Sequence, residues 1–390
     1  MKKLDGVIIA QISTVPFFIN TQLKLQLLTM ASCGAIIHII TSDGSEINDL
    51  KNLHNNIFIH VVEIKRHVSI LSDIRALIKI IKIFNSEKFN IIHSTTPKAG
   101  LISALAGYFS KIGIRIHTFT GQPWVNSTGF KRFLLKKIDQ LIISLNTNCY
   151  TDSASQREFL INQKIAKKNS IMVIGDGSLA GVDINRFNVI NFSCSDKKAL
   201  RSLLGISKND IVFIFIGRIN LEKGVIELLE AFRESQKKYN HIHLIFVGPF
   251  EQKNIFLKEK IKLTPHTHII EYTKTPENYL SIAHVLCLPS YREGFGTVII
   301  EAAAMGIPTI GTNIYGISDA VKNKETGFLV NLKEPKSLES ALNAFIMDDM
   351  LREKMGAAAK KRCDQLFSSE VVNAKVIDEY VKLLKMRNEK

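Results

Sequence analysis

The apolar positions of this chain form short runs rich in β-branched residues, separated by longer stretches with helical spacing. Short continuous apolar runs are typical of strands buried on both faces of a parallel sheet. In the first half the runs predict strands at Gly6 to Gln11, Ile36 to Thr41, Ile57 to Val62, Asn90 to His93, Ile114 to Phe119 and Ile171 to Ile174. The stretches between them predict helices at Asn20 to Ser32, Leu71 to Phe84, Lys98 to Ser110 and Lys131 to Leu145. This alternation indicates an α/β fold with a parallel sheet covered on both faces.

The pattern is interrupted once and then starts again. The interruption is Gly175 to Asn188, which is rich in Gly, Asp and Asn and is typical of an interdomain linker. Beyond it, strands are predicted at Ile211 to Ile216, His243 to Val247, His284 to Leu288 and Ile307 to Gly311. From Leu338 onward the pattern is helical, with breaks near Asp348 and Phe367.

The repeated pattern predicts two doubly wound, Rossmann-like domains that face a central cleft. We place the first at residues 1–182 and the second at 183–368, followed by a C-terminal helix at 369–390 that can pack back on the first domain. A chain of 390 residues is long enough for two such cores.

Composition narrows the class of protein. A hydrophobic fraction of 46% with 22% charged residues is typical of a soluble globular protein. No apolar run is long enough to cross a bilayer, and the N-terminus lacks a signal-peptide cleavage site, so we expect a cytoplasmic protein. The five cysteines are scattered and form no CxxC pair, which predicts neither a disulfide framework nor a cysteine zinc site.

The net charge of +15 is concentrated in the first half, where residues 1–180 hold 21 Lys and Arg against 11 Asp and Glu. Such an excess suits nucleic acid, an anionic membrane surface or phosphorylated substrates. Two predicted helices mix cations with apolar residues: Arg75, Lys79 and Lys82 opposite Ile74, Leu77, Ile78 and Ile81, and Lys131, Arg132, Lys136 and Lys137 around Phe133, Leu134 and Leu135. A core face and a solvated face would give the same pattern, but the charge excess favours contact with an anionic membrane.

The stretch most informative about chemistry is Pro289 to Thr312, PSYREGFGTVIIEAAAMGIPTIGT. A predicted strand ends there, a loop with two glycines carries Glu293, and a helix beginning near Thr297 carries Glu301. Such a junction forms a ligand crevice in which helix N–H groups attract phosphate, and carboxylates accept hydrogen bonds from sugar hydroxyls. Two glutamates at this spacing also occur by chance on solvated faces, but the GxG turn between strand and helix favours a nucleotide-sugar pocket.

A second junction, IFIGRINLEKG, brings two cations to the end of another strand. Arg218 follows the strand and Lys223 precedes the next helix. Both can converge on a diphosphate, the arginine through its forked donors and the lysine as a point charge. The alternative is two surface cations, which the helix dipole disfavours unless an anion is bound.

These motifs resemble the C-terminal domain of the family-4 retaining glycosyltransferases of GT-B fold, over residues 205–370. The matching positions are Gly217-Arg218, Lys223, Pro289-Ser290, Glu293-Gly294-Phe295-Gly296, Glu301-Ala302 and Gly306-Ile307-Pro308. The resemblance implies that Arg218 and Lys223 hold the donor diphosphate, while Glu293, here predicted as catalytic, holds the transferred sugar together with the amides of Phe295 and Gly296. Thr297 belongs to the same donor site, and Glu301 is implied to bind the ribose. No metal ion or other cofactor is implied, and the chain contains no DxD triplet.

In the first half, HTFTGQPW, which begins at His117, lies at the end of a predicted strand. Family members place a histidine at this strand end close to the donor sugar, so His117 is the second predicted catalytic residue. A lone histidine is more often structural. Trp124, the only tryptophan, is interpreted as a packing residue rather than a sugar-stacking one.

Acceptor binding is predicted at two further junctions. HSTTPKAG, residues 93–100, resembles a motif of bacterial transferases for capsule, exopolysaccharide and O-antigen, and places Pro97 and Lys98 at a helix start, where a second diphosphate can bind. Thr14 lies in the loop after the first strand, and is the other predicted acceptor-binding residue. That loop has no glycine, unlike many family members, so close backbone approach to the donor is not expected there.

The resemblance thus implies a retaining hexosyl- or N-acetylhexosaminyltransferase. It would move a sugar from a nucleotide-sugar, a UDP-sugar or a related donor, to a glycan on undecaprenyl diphosphate in bacterial surface polysaccharide synthesis. It would work on the inner face of the cytoplasmic membrane, and no side chain is assigned as general base. The alternatives are a nucleotide-sugar epimerase or phosphorylase-like protein of the same fold, and a basic nucleic-acid-binding protein, for which no reader motif is present.

Overall fold

The computed structural model describes residues 3–65, 67, 69–251 and 255–389. Contacts divide the chain into two compact units. Unit 1 comprises Met1–Gly181 with Ser369–Lys390, and unit 2 comprises Val182–Ser368. The predicted boundaries lie within one residue of these divisions.

Unit 1 is built on a seven-stranded sheet in the order β3-β2-β1-β4-β5-β6-β7, whose described strand pairs are all parallel. Its strands are β1 (Ile8–Ile12), β2 (Ile36–Thr41), β3 (Ile57–Val61), β4 (Ile91–Ser94), β5 (Ile114–Phe119), β6 (Asn148–Thr151) and β7 (Met172–Val173). Its helices are α1 (Pro16–Phe18), α2 (Lys24–Ser32), α3 (Ile47–Lys51), α4 (Ile70–Glu87), α5 (Pro97–Phe109), α6 (Gly129–Leu145), α7 (Ala154–Asn162) and, from the end of the chain, α16 (Ser369–Asn388).

Unit 2 repeats the architecture with a six-stranded parallel sheet in the order β10-β9-β8-β11-β12-β13. The strands are β8 (Ile211–Ile216), β9 (Ile242–Val247), β10 (Thr267–Ile270), β11 (Val285–Leu288), β12 (Thr309–Thr312) and β13 (Gly327–Val330). The helices are α8 (Cys194–Leu203), α9 (Val225–Gln236), α10 (Ile255–Lys262), α11 (Pro276–Leu280), α12 (Thr297–Ala304), α13 (Ile317–Ala320), α14 (Pro335–Met347) and α15 (Asp349–Leu366). The prediction of two doubly wound domains is confirmed.

The pattern missed three strands, β6, β10 and β13. Each has four residues, and each contains polar residues or glycine, so its apolar run is too short to stand out. The predicted helix at Asn20 to Ser32 was only partly right, because its first turn is a π-helical segment, Ile19–Leu23, that precedes α2. The breaks near Asp348 and Phe367 coincide with the two ends of α15.

The sheet of unit 1 is packed on both faces, and side-chain alternation sends successive residues to opposite cores. Ile9, Ile37 and Ile91 pack with α2 and α16, whereas Ala10, Ile40 and Ile92 pack with α4 and α5. The C-terminal helix α16 is therefore part of this unit's core. Its Tyr380 is fully buried and contacts His93 of β4, with 2.5 Å between the hydroxyl oxygen and Nδ1.

The core face of α4 differs from the one predicted. Its buried residues are Ala76, Ile80 and Phe84, whereas Ile74 and Ile78 are exposed beside the cations of the same helix. The prediction that Ile74 and Ile78 oppose the basic residues was wrong, because the helix turns a different stripe of its apolar residues toward the sheet. Within the described residues, no helix is long and apolar enough to cross a membrane.

In each sheet the first strand in chain order lies between the second and the fourth, so connections leave it in opposite directions. This topological switch point opens a crevice at the carboxyl ends of the two central strands. In unit 1 these strands are β1 and β4, and in unit 2 they are β8 and β11.

Candidate active site

The loop after β8 presents the two predicted cations at the carboxyl edge of unit 2. Asn220 caps a short 3-10 turn, Leu221–Lys223, by accepting a hydrogen bond from the backbone N–H of Lys223 at 3.0 Å. The cap holds the lysine in place just before α9 begins at Val225. A second link joins this loop to the neighbouring strand end, because the N–H of Tyr291 donates to the carbonyl of Glu222 at 2.8 Å.

Lys223 and Glu293 are in direct contact as an ion pair between the loops that follow β8 and β11. Each side chain is only 16% exposed. A partly buried pair of this kind is screened less by solvent than a surface pair, so each charge depends on the other. The structure thus brings together two residues that are 70 positions apart in the sequence.

A glycine makes this close approach possible. Gly224 has a φ of +68°, in the left-handed region, and a Cβ built on it would lie 2.1 Å from the carbonyl oxygen of Pro289 at the end of β11. Any side chain here would both strain the backbone and push the two loops apart. The contact between Lys223 and Glu293 therefore depends on this residue.

Arg218 lies on the same loop but has a partner that the sequence did not predict. Its guanidinium donates to Glu251 Oε1 at 2.6 Å, and the side-chain amide of Asn220 donates to Oε2 of the same carboxylate at 2.5 Å. Arg218 is about half exposed, so its donors remain accessible to an anion. Glu251 follows β9 by four residues, and no pattern in the sequence distinguished it from a solvated glutamate.

The GxG turn opens helix α12 as predicted. Gly296 is its N-cap residue with a φ of +82°, and Thr297 is the first helical residue. The side chain of Phe295 is buried and packs edge-on against Phe367, with ring centroids 5.1 Å apart. Of this residue only the backbone can serve a ligand, and the role predicted for its amide stays a prediction.

Glu301 lies in the second turn of α12, and burial raises the pKa of its carboxyl to about 7. The loss of hydration is the largest cause of this shift. Nearby Arg186 lowers the pKa by less, and Glu277 raises it further. Arg186 is itself held by Glu277 through two hydrogen bonds of 3.0 and 2.8 Å. The sequence did not indicate this pair, because Arg186 lies in the segment interpreted as a linker.

His117 does not lie at a strand end, contrary to the prediction. It is the fourth of six residues of β5, it is 1% exposed, and its Nδ1 lies 2.9 Å from Ser94 Oγ. The ring packs on the backbone of α5, where a Cβ added to Gly100 would fall 2.4 Å from it. Burial lowers its pKa to about 3, so the imidazole is neutral and enclosed, as expected of a structural histidine.

Lys98 and Thr14 lie near the carboxyl edge of unit 1, and both have protein partners. Lys98 follows Pro97 at the start of α5, and its ammonium contacts Asp73 of α4 at 2.7 Å and the carbonyl of His67 at 2.5 Å. Thr14 is buried, and its hydroxyl lies 2.7 Å from the hydroxyl of Thr96. The chain brings these residues to adjacent strand ends, with Lys98 turned toward α4.

Further buried polar groups lie at the same edge of unit 1. The side chains of Gln11, Ser13, Thr95 and Gln122 each have a buried polar atom with no hydrogen-bond partner in the described part of the chain. They lie at or just beyond the carboxyl ends of β1, β4 and β5, which are neighbours in the sheet. Buried polar atoms without partners are costly, so a concentration of them is typical of a ligand site. Trp124, by contrast, is fully buried and donates to Asp139 at 2.7 Å, as a packing residue does.

The chain matches two family models and several known glycosyltransferases. Residues 196–362 match the family model described as "Glycosyl transferases group 1", and residues 17–146 match "Glycosyl transferase 4-like". The chain is 33% identical over 352 residues to the capsular polysaccharide biosynthesis glycosyltransferase CapM of Staphylococcus aureus, covering 90% of each chain. It is 25% identical over 332 residues to an Escherichia coli UDP-Gal:alpha-D-GlcNAc-diphosphoundecaprenol alpha-1,3-galactosyltransferase, covering 82% of each.

Solved structures show the same fold at lower identity. A glycosyltransferase from Rickettsia africae matches with a TM-score of 0.79 at 20% identity, over 97% of this chain and 99% of that one. Anabaena HepE, solved in complex with UDP and glucose, matches with a TM-score of 0.78 at 18% identity, over 96% and 99%. These likenesses show the GT-B fold that the sequence predicted.

We predict that Gly224→Ala destabilises the protein more than a glycine substitution with the same backbone strain. Gly205 has a φ of +66° and no atom within 4 Å of an added Cβ, so Gly205→Ala is the matched control. The control should cost about 1 kcal/mol of unfolding free energy, and Gly224→Ala about 2–4 kcal/mol because it also displaces Pro289. Denaturant unfolding measures both, and equal costs would contradict the proposed close packing of the two loops.

Proposed function

This chain belongs to the family-4 glycosyltransferases of GT-B fold, and on that premise we propose which reaction it carries out. It transfers a sugar from a UDP-sugar, with retention of anomeric configuration, to a glycan linked to undecaprenyl diphosphate. The product is an intermediate in the synthesis of a bacterial surface polysaccharide.

The observation that carries the donor assignment is the contact between Lys223 and Glu293, with Arg218 on the same loop. A nucleotide diphosphate offers negative charge to the two cations, while the sugar offers hydroxyl donors to the carboxylate. Donor binding replaces the internal ion pair by two intermolecular contacts, so neither charge is left unpaired. The first-turn N–H groups of α12 add a positive dipole at the same strand end.

The chemistry that we propose relies on stabilising the leaving group. Arg218 and Lys223 neutralise the charge that develops on the diphosphate as its bond to the sugar breaks. In a retaining reaction the acceptor hydroxyl attacks on the face from which the nucleotide departs, and the diphosphate oxygen takes the proton. These groups perform the work that a metal ion performs in other transferases, so we propose that transfer needs no metal. His117 is buried and is not part of this proposal.

The acceptor site that we propose lies at the carboxyl edge of the sheet in unit 1. The unpaired polar atoms of Gln11, Ser13, Thr95 and Gln122 can bind the hydroxyls of an acceptor glycan. Lys98 can turn from Asp73 to bind the lipid diphosphate. Support comes from the E. coli relative, whose acceptor is a sugar on diphosphoundecaprenol.

A lipid-linked acceptor requires contact with a membrane, and unit 1 has a surface suited to it. We call it the basic-apolar face: exposed Ile70, Leu71, Ile74 and Ile78 of α4 and Phe130, Phe133 and Leu134 of α6, with Arg75, Lys82, Lys131 and Lys137 among them. Both helices pack against α5, so they lie on one face of the sheet. Apolar residues among exposed cations are typical of binding to anionic lipid.

The decisive experiment supplies a panel of nucleotide sugars and an undecaprenyl diphosphate-linked glycan acceptor, and measures the mass of the lipid product. We expect a gain of one sugar from a UDP-sugar, and a loss of about 100-fold or more in kcat/KM for Lys223→Ala. The matched control is Lys237→Ala, which breaks an exposed pair with Glu234 and should change kcat/KM less than two-fold. Release of UDP without any new glycan would support an epimerase instead.

The raised pKa of Glu301 predicts a pH dependence of donor binding. The carboxyl is charged above its pKa of about 7 and neutral below it. A carboxylate accepts stronger hydrogen bonds from ribose hydroxyls than a carboxylic acid, so the donor KM should rise about 3–10-fold as the pH falls from about 8 to about 6. Glu301→Gln should have a higher KM that is flat over this range, and an unchanged pH dependence in that variant would refute the assignment.

The basic-apolar face predicts binding to vesicles that contain anionic lipid. Replacing Phe130 and Phe133 by serine should weaken the partition coefficient by about 10-fold or more, because both rings leave the lipid interface. Leu263→Ser with Met350→Ser is the control in unit 2, since both side chains are at least 77% exposed there. Vesicle sedimentation in low and high salt measures the effect, and equal losses in both variants would count against the face.

A further inference from the structure

Two histidines and a glutamate converge in unit 1 outside the proposed transfer site. His38 lies on β2, His60 on β3, and Glu87 is the last residue of α4. One ring nitrogen of each histidine and one carboxylate oxygen all lie within 4.8 Å of one another. Among the residues that the structure describes, this is the only set of three His, Cys, Asp or Glu side chains with ligand atoms so close.

The strand register explains the convergence. In the parallel pairing of β2 with β3, His38 is opposite Phe58 and His60 is opposite Ile40, so the histidines are diagonal neighbours on one face of the sheet. Their ring planes are nearly parallel, with an angle of 12° and centroids 5.1 Å apart, and His38 Nδ1 lies 2.8 Å from His60 Nε2. The same face is covered by α4, whose last residue supplies the carboxylate.

We propose that His38, His60 and Glu87 bind one divalent transition-metal ion, with Zn²⁺ as the best fit. Two imidazoles and one carboxylate are a ligand set that zinc accepts in tetrahedral geometry, with a water molecule as the fourth ligand.

Metal binding requires the three ligand atoms to adopt the spacing of one coordination sphere, and the carboxylate oxygen, which lies within 4.8 Å of the ring nitrogens, has the furthest to move. Tetrahedral zinc holds its ligand atoms roughly 3.3 Å apart, so the two ring nitrogens must separate by about half an ångström from their hydrogen-bonded distance. His60 and Glu87 are partly exposed, which gives an ion a route to the site. His38 is buried against Phe89, which fixes the orientation of its ring.

The position of the site indicates a structural role. Helix α4 runs from the carboxyl end of β3 to the amino end of β4, so its last residue, Glu87, lies toward the amino edge of the sheet. The acceptor residues proposed above are at the carboxyl edge. A metal ion here ties the edge strand β3 to β2 and α4, and it takes no part in sugar transfer.

Unit 2 contains a matched arrangement that does not converge. His243 of β9 and His268 of β10 are diagonal in the same way, with 3.0 Å between His243 Nδ1 and His268 Nε2. The nearby carboxylate, Asp210, instead binds the far nitrogen, His243 Nε2, at 3.1 Å. The three groups form a chain rather than a cluster, so this pair serves as an internal control.

The test uses untagged full-length protein, stripped with a chelator and then titrated with Zn²⁺ against a chromophoric competitor. We expect one high-affinity Zn²⁺ per chain, a tetrahedral absorption spectrum with Co²⁺, and a rise of about 2–5 °C in the unfolding midpoint with Zn²⁺. Glu87→Gln and His60→Gln should each weaken Zn²⁺ binding at least about 100-fold. His268→Gln should leave Zn²⁺ affinity within two-fold of the wild type.

The variants separate metal binding from folding. Glu87→Gln keeps the volume of the side chain at a helix end, so its unfolding midpoint without metal should equal that of the wild type while the zinc-dependent rise is lost. Wild-type protein that binds no Co²⁺ or Zn²⁺, or variants that bind Zn²⁺ as tightly as the wild type, would overturn the proposal. Neither result bears on the donor site, which is tested by sugar transfer.

Discussion

The ion pair between Lys223 and Glu293 is the interaction on which the proposed donor site depends. It joins the ends of two adjacent strands, and it is shielded enough that losing either partner would leave a partly buried charge without compensation. Gly224 allows the loops to approach because any Cβ there would meet the carbonyl of Pro289. A ligand that carries both a diphosphate and hydroxyl groups can replace this pair on both sides at once, whereas an anion alone would satisfy only the lysine. The charges of this pair therefore suit a ligand that carries both groups.

The buried polar groups of unit 1 differ in whether they have hydrogen-bond partners. At the carboxyl edge, polar atoms of Gln11, Ser13 and Thr95 are buried and have no partner among the residues that the structure describes, which is unfavourable unless a ligand binds them. Deeper in the unit, His93 and His117 are neutral and satisfied by neighbouring hydroxyls, so they stabilise the core. The His38 and His60 pair is also satisfied internally, yet the convergence of Glu87 on it supplies a third ligand that a simple core pair does not need. The hydrogen-bond partners of a buried polar group, rather than its residue type, therefore distinguish a ligand site from part of the core.

Much of the fold was predictable because long apolar runs report burial on both faces of a parallel sheet. The strands at Ile36–Thr41, Ile114–Phe119 and Ile211–Ile216 were predicted with their observed bounds. The short strands β6, β10 and β13 were missed, since pairing with a neighbour stabilises them more than their own apolar pattern does. His117 was expected at a strand end, although its strand had itself been predicted to run two residues further, to Phe119. The observed β5 has those bounds and keeps the histidine in the core.

The sequence by itself determined the repeated α/β architecture and the residue types at the proposed donor site, because both depend on local spacing. Apolar periodicity gives the first, and glycines, cations and carboxylates at strand-to-helix junctions give the second. Only the tertiary structure decided which of those residues meet. The pairing of Lys223 with Glu293, of Arg218 with Glu251, and the cluster of His38, His60 and Glu87 all join segments that are distant in the chain. Strand order and register create these contacts, and neither can be read from local spacing.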